Sequence, residues 1–430
     1  MKNPIRNYLF DSAKDVCGFP SYCTANEFVL EAAILRAKET GRPVLIEATA
    51  NQVNRYGGYT GLQPKDFRAL VLSIAARHQL PQDQIILGGD HLGPLTWADQ
   101  PEADAMAKAN ELVYLYAAAG FTKIHLDTSM KLADDPAGAL SIDTVARRGA
   151  ELYRSAIDGY SELLTHDPDA PRPVFVIGSE VPIPGGAQQV EDSLEITAPG
   201  AFLDTVAAYE NAFLAAGVPD AMQDVIAVVV QPGVEFGDNE VFYYNSQKAS
   251  ALVAARKKTP DIFFEGHSTD YQTRDCLRSM VRDGIAILKV GPALTFALRE
   301  ALFGLSFIEQ ALVAPEHRSG FVQALEDRML ASPANWRKHY HGTEEELAIQ
   351  RKYSLSDRAR YYLGAKELKG VITKLFKNID SCTVPLGLLH QFLPAAYEDY
   401  VTGQIGKTSR ELVYSCIRHV MMDYEYAAFG

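Results

Sequence analysis

Cysteine is scarce in this chain, and its few occurrences form no pattern. Five cysteines are scattered over 430 residues: Cys17, Cys23, Cys276, Cys382 and Cys416. An odd number without regular spacing does not build a disulfide framework, so a reducing compartment fits better.

Long hydrophobic runs are also missing. The longest apolar stretches, such as Val225–Val230, have the length of a β-strand. A bilayer requires roughly 20 residues. The opening residues MKNPIRNYLFDSAKD contain no apolar core of signal-peptide length. We therefore expect a cytoplasmic protein with no membrane partner.

Basic residues are fewer than acidic ones, and nucleotide-binding motifs are lacking. The chain has 41 Lys+Arg against 54 Asp+Glu, a net charge of −13. An acidic surface repels phosphate backbones, so nucleic acid is not an expected partner. No G-x-G-x-x-G occurs, and the phosphate-loop-like segment 403–408 lacks its first glycine because position 401 is Val401. We expect no nucleotide cofactor and no kinase activity.

An alternation of strands and helices fills residues 1–315. Continuous apolar runs such as IAVVVQ indicate parallel strands covered on both faces. Amphipathic helical stretches separate them, and this alternation predicts a (β/α)8 TIM barrel. The predicted strands are Val16–Cys23, Pro43–Thr49, Gln84–Asp90, Thr122–Asp127, Val174–Glu180, Val225–Gln231, Asp261–Gly266 and Ile285–Val290.

The alternation stops near residue 315. Residues 316–430 have a helical pattern rich in Tyr and Arg, and no Gly/Ser or Pro linker precedes them. We interpret 1–315 as the barrel and 316–430 as a helical extension that packs on the barrel or on another subunit.

Polar side chains recur at the predicted strand ends, where such barrels carry their active sites. Asp90, His91, Glu180 and His267 come from strands three, five and seven. His91, Glu180 and His267 make a candidate metal site with open positions, and Asp90 a candidate proton-transfer base. In the alternative interpretation, Asp90 caps the next helix and the histidines belong to the core. Zinc is the default metal, with manganese, iron or cobalt open.

Lys289 ends strand eight and has two interpretations. A buried lysine forms Schiff bases with ketoses, or it pairs with a carboxylate across the barrel or holds a substrate group. Gly291 precedes a helix at Ala293, and Ser268 precedes one predicted at Asp270. Backbone N–H groups at helix starts bind anions, although Ser268 could simply cap its helix.

Further polar residues are candidates for substrate binding. Segment 51–61 is dense in amides, tyrosines and glycines, which suits either a loop that closes on a sugar or a tight irregular loop. The candidate substrate-binding residues are Glu47, Asn51, Gln52, Asp127, Gln231, Ser268 and Gly291.

Several long strings resemble one family. They include GGDHLGP (88–94), KIHLDTSM (123–130), GSEVPIPGG (178–186), GHSTDYQT (266–273) and YSLSDRARYY (353–362). They are similar to the GatZ/KbaZ family, the accessory subunit of class II tagatose-1,6-bisphosphate aldolase. The resemblance covers nearly the whole chain. It implies a barrel related to the zinc-dependent class II aldolases, whose Asp-His pair resembles Asp90-His91.

The resemblance implies two functions. Strand five has Glu180 where the aldolases use histidine, so bisphosphate cleavage does not follow directly. The family also contains 4-epimerases of tagatose and fructose 6-phosphates, and retro-aldol chemistry would invert C4. The main expectation is this metal-dependent epimerisation, with Asp90, Glu180 and Lys289 as catalytic residues. The alternative is a non-catalytic subunit that binds an aldolase chain. The implied partners are a phosphorylated ketohexose and either further copies of this chain or that catalytic subunit.

Overall fold

A closed barrel of parallel strands forms the centre of the protein. The computed structural model describes residues 3–11, 18–178 and 194–430. Within these ranges the barrel strands follow the order β1-β10-β9-β6-β5-β4-β3-β2, and β7 and β8 form a separate antiparallel pair. The strands are β1 (Phe19–Cys23), β2 (Val44–Thr49), β3 (Ile85–Leu92), β4 (Lys123–Leu126), β5 (Val174–Ile177), β6 (Val225–Val230), β7 (Glu235–Phe236), β8 (Val241–Phe242), β9 (Phe263–Gly266) and β10 (Ile285–Val290).

Helices lie between the barrel strands and continue after the last one. They are α1 (Pro4–Leu9), α2 (Glu27–Thr40), α3 (Pro64–Arg77), α4 (Glu102–Ala118), α5 (Ile142–Leu164), α6 (Pro199–Ala215), α7 (Ser246–Arg256), α8 (Arg274–Arg282), α9 (Pro292–Leu312), α10 (Phe321–Ala331), α11 (Glu344–Tyr353), α12 (Arg360–Leu363), α13 (Lys366–Asp380), α14 (Leu386–Phe392), α15 (Pro394–Val401) and α16 (Ser409–Phe429). None of these described helices is both long and apolar enough to cross a membrane.

The predicted (β/α)8 barrel is confirmed, with one wrong helix boundary. The helix predicted to begin at Asp270 begins at Arg274, and its N-cap is Thr273, whose hydroxyl accepts from the Cys276 N–H at 3.2 Å. Ser268 therefore does not cap this helix. The end of predicted strand five, including Glu180, lies outside the described residues.

The barrel interior is apolar at the amino ends of the strands. Leu45, Ile86 and Ile287 belong to one buried cluster inside the ring of strands. The short helix α1 adds Ile5 and Leu9 to the same cluster. This apolar plug fills the interior at the amino ends of the strands, and the polar side chains lie toward their carboxyl ends.

A charged layer lies above this plug. Side chains alternate along a strand, so Glu47 and Lys289 point inward two residues after Leu45 and Ile287. Gly88 lies beside Glu47, and a Cβ atom at Gly88 would come within 2.6 Å of the Glu47 side chain. The missing side chain provides the room that this carboxylate occupies.

The C-terminal helices pack directly on the barrel helices. Helix α16 lies against α2, α8 and α9. The Tyr424 hydroxyl donates to the Thr269 carbonyl at 2.7 Å, in the loop that follows β9. Arg36 of α2 pairs with Glu425 at 2.6 Å. The last helix is thereby bonded to a loop at the barrel mouth, while the division into domains at residue 315 stays a prediction.

Candidate active site

Asp90 and His91 lie at the carboxyl end of β3, where pairing with β4 is irregular. The register shifts between Gly89 and Leu92, as in a β-bulge. His91 has a φ of 48°. This left-handed conformation strains a residue with a Cβ atom, and such strain concentrates at functional sites. Because a bulge redirects side chains, two consecutive residues reach the same site.

Four buried side chains gather at this point of the barrel mouth. Ligand atoms of Asp90, His91, His125 and His267 all lie within 4.8 Å of one another. The structure thus brings together three of the four residues singled out in the sequence, from β3 and the end of β9. Glu180, the predicted third ligand and catalytic residue, lies outside the described residues.

Two of the imidazole rings are oriented by carboxylates. His91 Nδ1 lies 2.8 Å from Oδ2 of Asp127, and His267 Nε2 lies 2.9 Å from Oε1 of Glu265. Metal-binding histidines use a contact of this kind to fix their tautomer and ring orientation. His91 and His267 therefore have the environment of metal ligands.

His125 is held differently. Its Nε2 lies 2.9 Å from the Gly178 carbonyl oxygen, which can only accept a hydrogen bond. Its Nδ1 lies 3.2 Å from the backbone nitrogen of His91 and 3.2 Å from Oδ1 of Asp90. Both ring nitrogens already have protein partners, so His125 supports the site more readily than it binds a metal.

Burial and charge give the site residues distinct protonation states. Burial, reinforced by the charge of His91, lowers the pKa of His267 to about 3, which leaves a neutral ring. Burial alone would raise the pKa of Asp90, but His91 and Lys289 outweigh it and hold this pKa well below its usual range. A neutral imidazole is the form that binds a cation, and an ionised carboxylate can accept a proton.

Lys289 connects the site to the charged layer below. Its Nζ lies 2.6 Å from Oε2 of Glu47 and 2.9 Å from Oδ1 of Asp90. Burial disfavours its charge, but Asp90, Cys23 and Glu47 together raise the pKa of Lys289 well above its ordinary value. A protonated amine is not a nucleophile, so the geometry favours the ion-pair interpretation over a Schiff base.

Lys123 and Glu265 complete this layer. Lys123 Nζ lies 2.8 Å from Glu47 and 2.6 Å from Glu265, and all three side chains are fully buried. Two lysines thus share carboxylates across the barrel, which is the arrangement that makes buried charges tolerable.

A cavity of about 750 Å³ opens above the cluster. Asp90, His91, His267 and Lys289 form part of its wall. Such a volume accommodates a small molecule.

Some predicted substrate-binding residues line this cavity and others do not. Those in the wall are Asn51, Gln52, Ser268 and Gly291. Glu47 lies beneath Lys289, and Asp127 lies behind His91. Gln231 turns its Oε1 to the N–H groups of Gly233 and Val234, at 2.9 Å each. None of these three is among the residues of the cavity wall, and their part in substrate binding stays a prediction.

The loop 51–61 is tightly bonded within itself. The Asn54 side chain accepts hydrogen bonds from the N–H groups of Tyr56 and Gly58, and it donates to the Ala50 carbonyl at 2.8 Å. Of the two interpretations of this segment, these contacts fit the tight irregular loop. Closure on a substrate stays a prediction.

The predicted anion site at the start of α9 already has an occupant. Oδ1 of Asp270 accepts from the N–H groups of Gly291 and Ala293, at 3.0 and 2.8 Å. Burial raises the pKa of Asp270 to about 6, although these two N–H groups act in the opposite direction. A carboxylate of the chain itself therefore holds two N–H groups of this helix start, and anion binding there stays a prediction.

Comparison with known proteins identifies the family. The family model described as "D-tagatose-1,6-bisphosphate aldolase subunit GatZ/KbaZ-like" matches residues 9–429. The chain belongs to the GatZ/KbaZ-like family. The "D-tagatose-1,6-bisphosphate aldolase subunit GatZ" of Salmonella paratyphi B and that of Salmonella typhimurium are each 44% identical over 409 residues, 95% of both chains.

A solved structure is also similar to this GatZ/KbaZ-like chain. It is described as a probable tagatose 6 phosphate kinase from Sinorhizobium meliloti 1021, with 44% identity and a TM-score of 0.87. The match covers 95% of this chain and 100% of that one. In the present chain, the segment resembling a phosphate loop follows α15 and ends at Thr408, the N-cap of α16. A nucleotide phosphate loop follows a strand instead.

The donor set of this GatZ/KbaZ-like protein fits a divalent metal. Two imidazoles with carboxylate partners and an adjacent Asp90 carboxylate supply nitrogen and oxygen ligands, and burial keeps the His267 ring neutral. Mixed nitrogen and oxygen ligands suit zinc and other first-row cations alike.

Lys123 was missed from the sequence, and His125 and Glu265, which are among the polar residues at the predicted strand ends, were given no role. Polar residues spaced by two along a predicted strand are the signal that identifies them. Lys123, His125 and Asp127 alternate along β4 and its end, and Glu265 precedes His267 by two residues. Residues spaced by two share the inner face of the barrel.

Proposed function

We propose that this chain acts on a phosphorylated ketohexose in tagatose metabolism, as a metal-dependent 4-epimerase of tagatose 6-phosphate and fructose 6-phosphate. The observation that supports this proposal most is the contact of Asp90 with Lys289 beside His91 and His267, in the wall of one cavity. This arrangement contains a base, a fixed positive charge and two imidazoles, of which that of His267 is kept neutral by burial.

The metal would be held by His91 and His267, with Glu180 as the predicted third ligand. The chemistry that a divalent cation supplies when bound there is polarisation of the sugar's C2 carbonyl. Asp127 and Glu265 orient the two rings from behind.

Inversion at C4 requires bond cleavage, because the C4 hydrogen is not adjacent to the C2 carbonyl. Asp90 accepts the C4 hydroxyl proton at a carboxylate oxygen. The C3–C4 bond breaks, its electron pair passes to an enediolate over C2 and C3, and C4 becomes an aldehyde. The aldehyde presents its other face, C3 attacks it, and Asp90 returns the proton to the new C4 hydroxyl. Atoms and electrons balance without a co-reactant.

Lys289 serves this reaction through its charge. The ammonium keeps Asp90 ionised in the resting site and remains 2.9 Å from its oxygen. It also offers a positive charge to the oxygens on which negative charge develops, among side chains that are themselves buried. Water exclusion prevents the enediolate from being protonated before the bond re-forms.

Activity of the purified protein tests the proposal. The protein, reloaded with zinc or manganese, is incubated with tagatose 6-phosphate and followed by carbon NMR. We expect fructose 6-phosphate to appear, and we expect the Asp90→Asn variant to lose this activity while keeping the fold. Absence of interconversion with every first-row metal would reject the epimerase.

The second candidate is a non-catalytic subunit of a class II D-tagatose-1,6-bisphosphate aldolase. The Salmonella relatives, 44% identical, are described as GatZ subunits of D-tagatose-1,6-bisphosphate aldolase, which fits this role better than epimerisation. Co-expression with a class II aldolase catalytic chain tests it. A stoichiometric complex that raises aldolase stability, together with no turnover by the single chain, supports this role over the first.

A further inference from the structure

The C-terminal helices contribute an arginine to the cavity. Arg360 begins α12 within the segment YSLSDRARYY (353–362), one of the segments similar to the GatZ/KbaZ family. Its side chain lines the same cavity as Asp90 and His91. The extension is therefore part of the site and not only a support for it.

Arg360 has no carboxylate partner, in contrast to three other cations of the same cavity. Lys289 pairs with Asp90, Lys369 pairs with Glu27 at 2.7 Å, and Arg410 pairs with Glu31. In the described part of the chain, no carboxylate oxygen lies within 4 Å of the Arg360 guanidinium. Its charge is available to an anionic ligand.

Neutral groups hold the guanidinium in place. One of its nitrogens donates to the carbonyl oxygens of Ser356 and Asp357, and the other donates to the Tyr361 hydroxyl at 3.1 Å. The guanidinium also lies over the Tyr361 ring, 4.6 Å from its centre. Tyr59 packs edge-on against Tyr361 with ring centres 4.9 Å apart. An arginine fixed in this way loses little entropy when it binds an anion.

The surroundings of Arg360 are positive in a protein whose net charge is −13. Arg358 donates to the same Tyr361 hydroxyl at 3.4 Å. Burial lowers the pKa of His339 to about 4, and the charges of Arg358, Lys338 and Arg360 act in the same direction. The local field therefore favours negative charge.

We propose that Arg360, with the Tyr361 hydroxyl, binds the phosphate group of the sugar, so that the helical extension selects phosphorylated over free ketohexoses. This inference rests on the proposed substrate class. Two observations support it: Asp270 accepts from the N–H groups at the helix start where an anion was expected, and Arg360 lies in the same cavity without a carboxylate partner. Arginine forks match phosphate geometry.

Binding measurements test the phosphate site separately from turnover. Calorimetry is carried out with inorganic phosphate, tagatose 6-phosphate and free tagatose on the metal-loaded protein and on Arg360→Met. A charge-assisted hydrogen-bond pair is worth enough that we expect roughly 10- to 100-fold weaker binding of both phosphates. Binding of free tagatose should not change.

Two further variants serve as controls. Arg410→Met removes an arginine of the same cavity that is already paired with Glu31, and should leave phosphate affinity unchanged. Tyr361→Phe keeps the charges of Arg358 and Arg360 and removes only the hydroxyl, so we expect a smaller loss of phosphate affinity. This variant still tests the site if Arg360→Met fails to fold.

The outcomes separate the two hypotheses. A parent protein that binds tagatose 6-phosphate through Arg360 but does not interconvert it rejects the epimerase and supports the phosphate site. A parent that turns the sugar over, with KM and phosphate affinity unchanged in Arg360→Met and Tyr361→Phe, rejects the phosphate site alone. Equal losses in Arg410→Met and Arg360→Met would also overturn it.

Discussion

Nζ of Lys289 lies 2.9 Å from Oδ1 of Asp90, inside the barrel and almost entirely shielded from solvent. The same ammonium lies 2.6 Å from Glu47. It therefore joins the charged layer in the barrel to the base at the mouth. Removal of the ammonium takes a partner from two buried carboxylates, which has consequences that can be measured.

Lys289→Met should destabilise the fold severely. Breaking a buried ion pair costs about 3–5 kcal/mol, because Asp90 loses its ammonium partner and Glu47 keeps only Lys123. Chemical denaturation measures the loss. Lys369→Met is the matched control, since Lys369 pairs with Glu27 at an exposed position and such pairs contribute about 0–1 kcal/mol. Adding Glu47→Gln to Lys289→Met should recover part of the stability. Equal losses in the two lysine variants would contradict the buried-network interpretation.

Asp127→Asn should weaken metal binding without abolishing the fold. The amide cannot hold the His91 imidazole as the carboxylate does, and loss of such a partner typically lowers metal affinity roughly 10- to 100-fold. Titration of the metal-free protein with zinc against a competing chelator measures the affinity. Asp135→Asn removes an ion-paired carboxylate outside the site, bound to Arg148, and should bind zinc as the parent does. Unchanged affinity in Asp127→Asn would exclude His91 as a ligand oriented by Asp127.

Asp270→Asn should change how stability depends on pH. Burial raises the pKa of Asp270 to about 6, against an ordinary value of 3.8. A carboxyl group whose pKa is raised by folding contributes stability that is complete below its pKa in the unfolded protein. This stability is lost as the pH rises through its pKa in the folded protein. The parent should therefore lose roughly 2 kcal/mol relative to Asp270→Asn between pH 4 and pH 7.

Denaturation curves of both proteins at several pH values would show this difference. The asparagine Oδ1 can still accept from the Gly291 and Ala293 N–H groups, so the helix start remains capped. If the stability of the two proteins changed with pH in the same way, burial would not raise the pKa of Asp270.

Gly93→Ala should disrupt the loop after β3. A Cβ atom at Gly93 would come within 1.6 Å of the Asp127 carbonyl oxygen, a backbone atom that cannot move without shifting the site. We expect a loss on the order of 4 kcal/mol or failure to fold. Gly387→Ala is the control, because an added Cβ in that exposed helix meets nothing within 4 Å. The control should be neutral or gain up to about 1 kcal/mol through helix propensity. Equal melting temperatures for the two variants would contradict this packing.

The barrel itself could be predicted from local patterns. Runs such as Val225–Val230 are apolar on both faces, which only a covered parallel strand requires. Polar residues at the strand ends then indicated the mouth, and Asp90, His91 and His267 do meet there. These inferences succeed because hydrophobic burial follows from each segment's own composition.

Pairing between distant residues could not be predicted in this way. That Lys289 lies between Glu47 and Asp90, and that Asp270 fills the start of α9, depends on barrel register and on the bulge in β3. Arg360 enters the cavity only because the C-terminal helices fold back over the mouth. Such contacts join segments far apart in the chain. They are set by how strands stagger and helices dock, and composition along one segment carries no record of that geometry.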